Sequence, residues 1–172
     1  NTLVKLIEWY LNSEIAELIN ANIKLNFVGD RIAFNKTLQD LMLRAEKLTE
    51  NNSGMKFNVA LNFGGKIDFI HAVKSILQKK ENFELKNSEI NEELIKRNLM
   101  SSSIDDIDLL IRTSGETRLS NFLMWQLQYS ELYFTEVLWP DFNENELEKA
   151  FKIYYSTERR YGSSIDLYKN LK

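Results

Sequence analysis

The feature of this 172-residue chain that most limits its fold is the alternation of two hydrophobic periods. Short apolar runs typical of strands are each followed by a longer segment with apolar residues three and four apart, which is the helical pattern. The predicted strands cover residues 24–28, 56–63, 107–111 and 131–137. The predicted helices cover residues 2–22, 35–50, 67–79 and 88–99, a stretch from Ser120 to Trp125, and a last helix from an Asn143 cap to about Arg160.

This alternation predicts an α/β fold, in which a mainly parallel central sheet is flanked by helices on both faces. The whole chain, residues 1–172, is expected to form one domain, because it shows no repeat, linker or low-complexity stretch and has a single proline. In sheets of this kind, ligands bind at the carboxyl ends of the strands. Polar residues that follow a strand are therefore the first candidates for a site.

Composition excludes several classes of function. The net charge of -3 argues against a broad nucleic-acid-binding surface, so any anion site must be local. The absence of cysteine removes disulfides, thiolate catalysis and cysteine-based zinc sites, and it fits a cytoplasmic protein. Apolar runs are only a few residues long, too short to span a bilayer. The chain starts at Asn1 rather than at a methionine, and we expect native sequence to precede it.

The segment RTSGETRLSNF, residues 112–122, carries the clearest polar chemistry. Arg112 follows a predicted strand, and Ser120 stands where a helix is predicted to begin. Arginine offers a planar fork of donors that matches phosphate oxygens, and helix N-termini favour anions. The turn is thus a candidate diphosphate cradle. The alternative is a solvated loop whose arginines pair with Glu116 or neighbouring acids.

A carboxylate lies close to this turn in the sequence. Glu131 begins a predicted strand eleven residues after Ser120. A carboxylate near a diphosphate is repulsive unless a cation lies between them, and Mg²⁺ with one or two carboxylates plus phosphate oxygens is the common arrangement. The alternative is an exposed glutamate at a strand end.

Five sequence blocks together resemble those of one family. The 31-residue block RTSGETRLSNFLMWQLQYSELYFTEVLWPDF closely resembles the C-terminal signature of the cis-prenyltransferases. The other blocks of that family are resembled, in the same order, by GDRIAF (29–34), the loop from Asn51 to Gly54, NVALNFGGK (58–66) and ERRYG (158–162). The resemblance implies condensation of isopentenyl diphosphate with an allylic diphosphate, farnesyl diphosphate, to give a Z-polyprenyl diphosphate. The product it implies is undecaprenyl diphosphate, for a cell-wall carrier lipid.

The resemblance also assigns roles to individual residues. It implies that Arg112, Arg118 and Ser120 hold the diphosphate of isopentenyl diphosphate. It implies that Glu131 helps to bind Mg²⁺. It further implies a homodimer, in which Arg160 and Gly162 reach toward the neighbour's site.

A polyprenyl product needs an apolar tunnel, because each buried CH₂ contributes roughly 0.8 kcal/mol. In the family the sheet and helices matching residues 2–22 and 35–50 build this tunnel. Phe57, Val59 and Leu61 share one face of a predicted strand and could line it, although plain core packing is the alternative for each. Peripheral membrane association would serve product release.

Two blocks of the family are not found in the chain: DGNGRWA and the next block, a strand that ends in FSTENW. The first block carries the aspartate that the family needs for Mg²⁺, so no catalytic residue is identified among residues 1–172. We expect that aspartate upstream of Asn1, so that residues 1–172 form a domain lacking its N-terminal portion. The alternative is a non-catalytic, cis-prenyltransferase-like subunit that binds a catalytic partner.

Overall fold

A computed structural model describes residues 2–82 and 85–158 of the chain. It combines helices with parallel strands, which confirms the predicted α/β class. The strands are β1 (Lys24–Val28), β2 (Lys56–Ala60), β3 (Leu109–Arg112) and β4 (Glu131–Phe134). The α-helices are α1 (Thr2–Ser13), α2 (Ile15–Asn20), α3 (Lys36–Leu48), α4 (Gly65–Glu81), α5 (Glu92–Asn98) and α6 (Glu144–Ser156).

The described strands form two parallel pairs rather than one central sheet. β1 pairs with β2, and β3 pairs with β4. Each pair belongs to a different compact unit of the chain: unit 1 comprises Asn1–Ile104 and Asn121–Leu123, and unit 2 comprises Asp105–Ser120 and Met124–Lys172. A single family domain over residues 1–172 therefore stays a prediction.

The core of unit 1 lies between β1 and α3. Leu25 and Phe27 alternate along β1 with polar Asn26, so both point to the same side of the strand. They pack against Leu38 and Met42 of α3, which are almost fully buried. Each such side chain contributes about 1.5–3 kcal/mol when it leaves water, so this contact fixes α3 on the sheet.

The predicted helix over residues 2–22 is divided in two at Glu14. At this point two polar side chains take up carbonyl groups of the preceding turn. Asn12 Nδ2 donates to the carbonyl of Glu8 over 2.8 Å, and Ser13 Oγ donates to the carbonyl of Tyr10 over 3.5 Å. The backbone N–H of Glu14 still donates to the carbonyl of Tyr10 over 2.9 Å, so the interruption is a local bend that occurs without a proline or glycine.

The carboxyl ends of β1 and β2 fit closely together. Gly29 follows β1 with φ +125°, and a Cβ atom there would lie 2.1 Å from the carbonyl oxygen of Leu61. The side chain of Asn62 donates to the carbonyl of Asp30 over 3.1 Å. Only glycine combines this backbone conformation with this approach.

The helix predicted from Ser120 to Trp125 is wrong. Residues 113–130 form turns and bends without a helix, and Ser120 has φ +56°, in the left-handed region. Hydrophobic spacing suggested a helix there, but the backbone carbonyl of Asn121 accepts a hydrogen bond from Gly65 instead. Ser120 consequently offers no helix N-terminus to an anion.

Two other helices, α5 and α6, each have one end that lies four residues from the predicted position. α5 begins after an Asn91 cap rather than near residue 88. The Asn143 cap of α6 is confirmed, since its side chain accepts from the backbone of Asn145 and Glu146, but the helix ends at Ser156, four residues before the predicted end. Within residues 2–82 and 85–158, no helix is long and apolar enough to cross a bilayer.

Candidate functional site

The turn after β3 is fixed by backbone hydrogen bonds to the segment that follows β4. Arg112 is the last residue of β3, and its carbonyl accepts the N–H of Thr135 over 2.9 Å. The N–H groups of Ser114 and Gly115 donate to the carbonyls of Val137 and Thr135, each over 2.9 Å. Because both residues have φ near +70°, the chain turns sharply here. The Arg112 guanidinium thus extends from an immobilised strand end.

Two of the three predicted diphosphate ligands are in contact. Arg112 Nη1 donates a hydrogen bond to Ser120 Oγ over 3.3 Å. A guanidinium carries five N–H donors, and a hydroxyl that accepts one bond can still donate its own proton. The pair therefore presents several donors at the carboxyl end of β3, where phosphate oxygens could accept them.

The third predicted ligand, Arg118, has a protein partner instead. Its Nη1 atom forms an ion pair with Glu116 Oε2, as the solvated-loop interpretation expected. The Arg118 side chain is 67% exposed, and surface ion pairs are worth about 0–1 kcal/mol. A diphosphate, with more negative charge than one carboxylate, could displace Glu116 at little cost.

Glu131 lies at the other end of the β3–β4 pair. It is the first residue of β4 and pairs with Leu109, the first residue of β3, whereas Arg112 pairs with Phe134. Three residues along a parallel strand span about 10 Å, and alternation places Glu131 and Arg112 on opposite faces. The structure therefore does not bring Glu131 beside the Arg112–Ser120 contact.

The described residues do not fit a complete magnesium site. Within residues 2–82 and 85–158, no group of three or more His, Cys, Asp or Glu side chains could hold a metal ion. Glu131 is also separated from Arg112 along the sheet. The Mg²⁺ role of Glu131 stays a prediction.

An apolar cleft of about 550 Å³ lies in unit 1 between the first two helices and one face of the β1–β2 sheet. Its polar side chains are Glu14 and Glu17, at and after the break between α1 and α2. Its apolar lining residues are Leu6, Ile7, Tyr10, Leu11, Ile15, Leu18, Leu25, Phe27, Phe57 and Val59. The cleft has the chemistry to hold a hydrocarbon chain.

Two of the three tunnel candidates lie on this cleft. Phe57 and Val59 line it, and Phe57 is 46% exposed. Leu61 is absent from the lining and packs against the core of unit 1. The two residues predicted to complete a neighbour's site, Arg160 and Gly162, lie outside the described residues, so their role stays a prediction.

Comparisons with known proteins identify the family. The prenyltransferase family model for undecaprenyl diphosphate synthases matches residues 1–162. The chain is 45% identical to the ditrans,polycis-undecaprenyl-diphosphate synthase ((2E,6E)-farnesyl-diphosphate specific) of Pasteurella multocida, over 95% of this chain and 68% of that protein. The chain belongs to the cis-prenyltransferase family. The Escherichia coli K12 synthase of the same name is 40% identical, over 95% of this chain and 65% of that protein.

A solved structure extends the match to three dimensions. Lavandulyl diphosphate synthase from Lavandula x intermedia, crystallised with dimethylallyl diphosphate, superposes with a TM-score of 0.89 at 37% identity. The superposition covers 94% of this chain and 70% of that one. The present cis-prenyltransferase chain spans about two thirds of the length of the curated relatives it matches.

Sequence reasoning missed two residues of this cis-prenyltransferase chain that hold its loops in place. Asp68 is buried on α4 and accepts hydrogen bonds from Met100 and Ser101. The sequence spacing contained a signal for this role. Asp68 lies four residues before Ala72, which places it on the buried face of the helix, and a buried carboxylate needs a hydrogen-bond partner. Asn121 caps α4 from 55 residues away, and no local pattern announces such a contact.

Proposed function

We propose that the protein condenses isopentenyl diphosphate with farnesyl diphosphate to make a Z-polyprenyl diphosphate, with undecaprenyl diphosphate as the product. The observation that carries the proposal is the contact of Arg112 with Ser120 at the carboxyl end of β3. The names of relatives that are 40–45% identical over 95% of the chain support the reaction and the farnesyl starter.

In this proposal, the turn binds and orients the five-carbon donor. Arg112 and Arg118 neutralise its diphosphate, and the Ser120 hydroxyl donates a further hydrogen bond. Holding the diphosphate fixes the direction from which the donor's double bond approaches the allylic carbon, and such orientation lowers the entropic part of the barrier. A carbon–carbon bond then forms between the donor's double bond and the allylic carbon as the bond from that carbon to the leaving pyrophosphate breaks. The donor next loses a proton to pyrophosphate or water from the carbon adjacent to its former double bond, and the electron pair of that C–H bond becomes the new Z double bond.

The cleft of unit 1 would accommodate the growing hydrocarbon. Its wall is mostly apolar, and every CH₂ transferred from water contributes roughly 0.8 kcal/mol. Several isoprene units therefore bind firmly without any polar contact. The volume and shape of the cleft would then influence product length.

Phe57→Ala is expected to change the product distribution with little effect on folding. The ring lines the cleft but is about half exposed, so its removal enlarges the cleft and creates no buried cavity. Chromatography of labelled products should show a shift by at least one isoprene unit. Phe69→Ala is the matched control, because Phe69 has similar exposure and does not line the cleft. If Phe57→Ala and Phe69→Ala give the same distribution of product lengths, Phe57 does not line the tunnel.

A turnover assay tests the proposed function directly. The full chain is incubated with farnesyl diphosphate, labelled isopentenyl diphosphate and Mg²⁺, with EDTA in a parallel sample. Long Z-polyprenyl products that disappear with EDTA are expected. Isopentenyl diphosphate binding without turnover would favour a non-catalytic subunit with a catalytic partner. If the protein shows no binding of isopentenyl diphosphate and no turnover, the proposal is contradicted.

Mg²⁺ is proposed as the cofactor of the whole protein, with Glu131 as one ligand. The family resemblance and the carboxylate chemistry of Glu131 support this role. Glu131→Gln is expected to raise the Mg²⁺ concentration needed for half-maximal turnover, because a neutral amide is a weaker ligand. Asp106→Asn, in the loop before β3, is the control. An unaltered magnesium titration would leave Glu131 as an ordinary strand-end residue.

We also propose a cytoplasmic homodimer that associates peripherally with a membrane when product leaves. The family resemblance supports the dimer. The more than half-exposed Leu3, Leu6 and Trp9 of α1 support contact with lipid. Light scattering should give twice the chain mass, and flotation with phospholipid vesicles should recover part of the protein. A monomer that never floats would contradict both.

A further inference from the structure

The N-terminus of α4 is capped by a residue from a remote part of the chain. An α-helix begins with N–H groups that have no partner within the helix. Here the carbonyl of Asn121 accepts the N–H of Gly65 over 3.3 Å, and Asn121 Oδ1 accepts the N–H of Lys66 over 3.0 Å. Gly64, at the N-cap position, has no side chain that could do this. Asn121 therefore accepts hydrogen bonds from two of the N–H groups at the start of α4.

The surrounding contacts leave little room for Asn121 to move. A Cβ atom on Gly64 would lie 2.5 Å from Asn121 Nδ2 and 3.1 Å from its Cγ. The next residue, Phe122, packs edge-on against Phe63 with ring centroids 6.1 Å apart. Leu123 is buried. Three consecutive residues, Asn121–Leu123, thus form part of the packing of unit 1.

We propose that Asn121 is a positioning residue for the binding of isopentenyl diphosphate, an inference that rests on the proposed function. Asn121 follows Ser120 directly, and the rigid peptide plane transmits its anchoring to the Ser120 backbone. Ser120 has φ +56°, which is uncommon for a residue with a side chain. Without the anchor, Ser120 relaxes toward commoner conformations, and its hydroxyl leaves the position where Arg112 donates to it.

Asn121→Ala in the full chain tests this inference, because alanine removes the side-chain cap but keeps the backbone carbonyl. The KM for isopentenyl diphosphate is expected to rise about tenfold, since the loss of one hydrogen bond from the Ser120 hydroxyl to the diphosphate has an effect of this size. The KM for farnesyl diphosphate should change less than twofold. Asn91→Ala is the matched control: Asn91 Oδ1 caps α5 by accepting the N–H of Leu94 over 2.9 Å. Both variants should lower the melting temperature by a few degrees.

Gly64→Ala provides a second route to the same site. The new methyl group displaces the Asn121 amide while Asn121 itself is unchanged. Gly64→Ala should also raise the KM for isopentenyl diphosphate. If Asn121→Ala does not fold, Gly64→Ala alone tests the inference. An unchanged KM in the folded variants overturns the inference, and so does an unchanged Kd for isopentenyl diphosphate if the wild type binds it without turnover. A wild type that turns over leaves the proposed function standing in either case. A wild type that neither binds nor converts isopentenyl diphosphate overturns both.

Discussion

Replacing Arg112 with alanine is expected to lower kcat/KM for isopentenyl diphosphate about ten- to a hundredfold, because charge-assisted hydrogen bonds to a phosphate are worth about 1.5–3 kcal/mol. Arg112 stands at the end of β3 on a backbone fixed by Thr135, and it already contacts Ser120. The alanine variant removes the fork and leaves this backbone unchanged. Steady-state kinetics with each substrate varied in turn measures the effect.

Two further variants make the Arg112 experiment specific. Arg112→Lys keeps the charge but loses the planar fork, so it should recover only part of the activity. Arg97→Ala removes an exposed arginine on α5 that pairs with Glu93, and it should leave the kinetics unchanged. If Arg112→Ala retains the wild-type KM and kcat for isopentenyl diphosphate, the turn does not bind the donor.

Local sequence patterns were sufficient to predict β3, the Asn143 cap and the pairing of Arg112 with Ser120. The apolar run before Arg112 predicted β3 to within two residues at each end, because strands of parallel sheets are typically continuous apolar runs, although the four residues of β3 are half-buried. The Asn143 cap was predicted correctly, since its side chain accepts backbone N–H groups of the next turn. Arg112 and Ser120 were predicted to act together, and the structure brings them into contact.

Tertiary contacts explain what the sequence did not predict. The spacing after Ser120 is compatible with a helix, but Asn121 bonds to Gly65 and Lys66 and Ser120 adopts a left-handed backbone. The position of Glu131 depends on strand register, which pairs it with Leu109 rather than with a residue near the turn. Register is set by the whole sheet, so sequence proximity to Ser120 was a poor guide to distance.

Asp68→Ala is expected to reduce the free energy of unfolding by about 3–5 kcal/mol, because each buried polar group left without a partner costs about 1–3 kcal/mol. Asp68 is 3% exposed, and its Oδ1 atom accepts the N–H groups of Met100 over 2.6 Å and Ser101 over 3.3 Å. Its Oδ2 atom accepts the hydroxyl of Ser101, which is fully buried. Alanine would leave two backbone donors and one hydroxyl without this acceptor.

The comparison with Asp68→Asn separates hydrogen bonding from charge. Asparagine keeps one oxygen for the N–H groups, and its amide can donate to the Ser101 hydroxyl, so it should lose less than half as much stability as alanine. Asp40→Ala is the control: this exposed acid of α3 pairs only at the surface with Lys36 and should change stability by less than about 0.5 kcal/mol. Urea unfolding followed by circular dichroism measures all three. If Asp68→Ala is no less stable than Asp40→Ala, the loop after α5 does not depend on the buried carboxylate, and its conformation must be fixed by its other contacts.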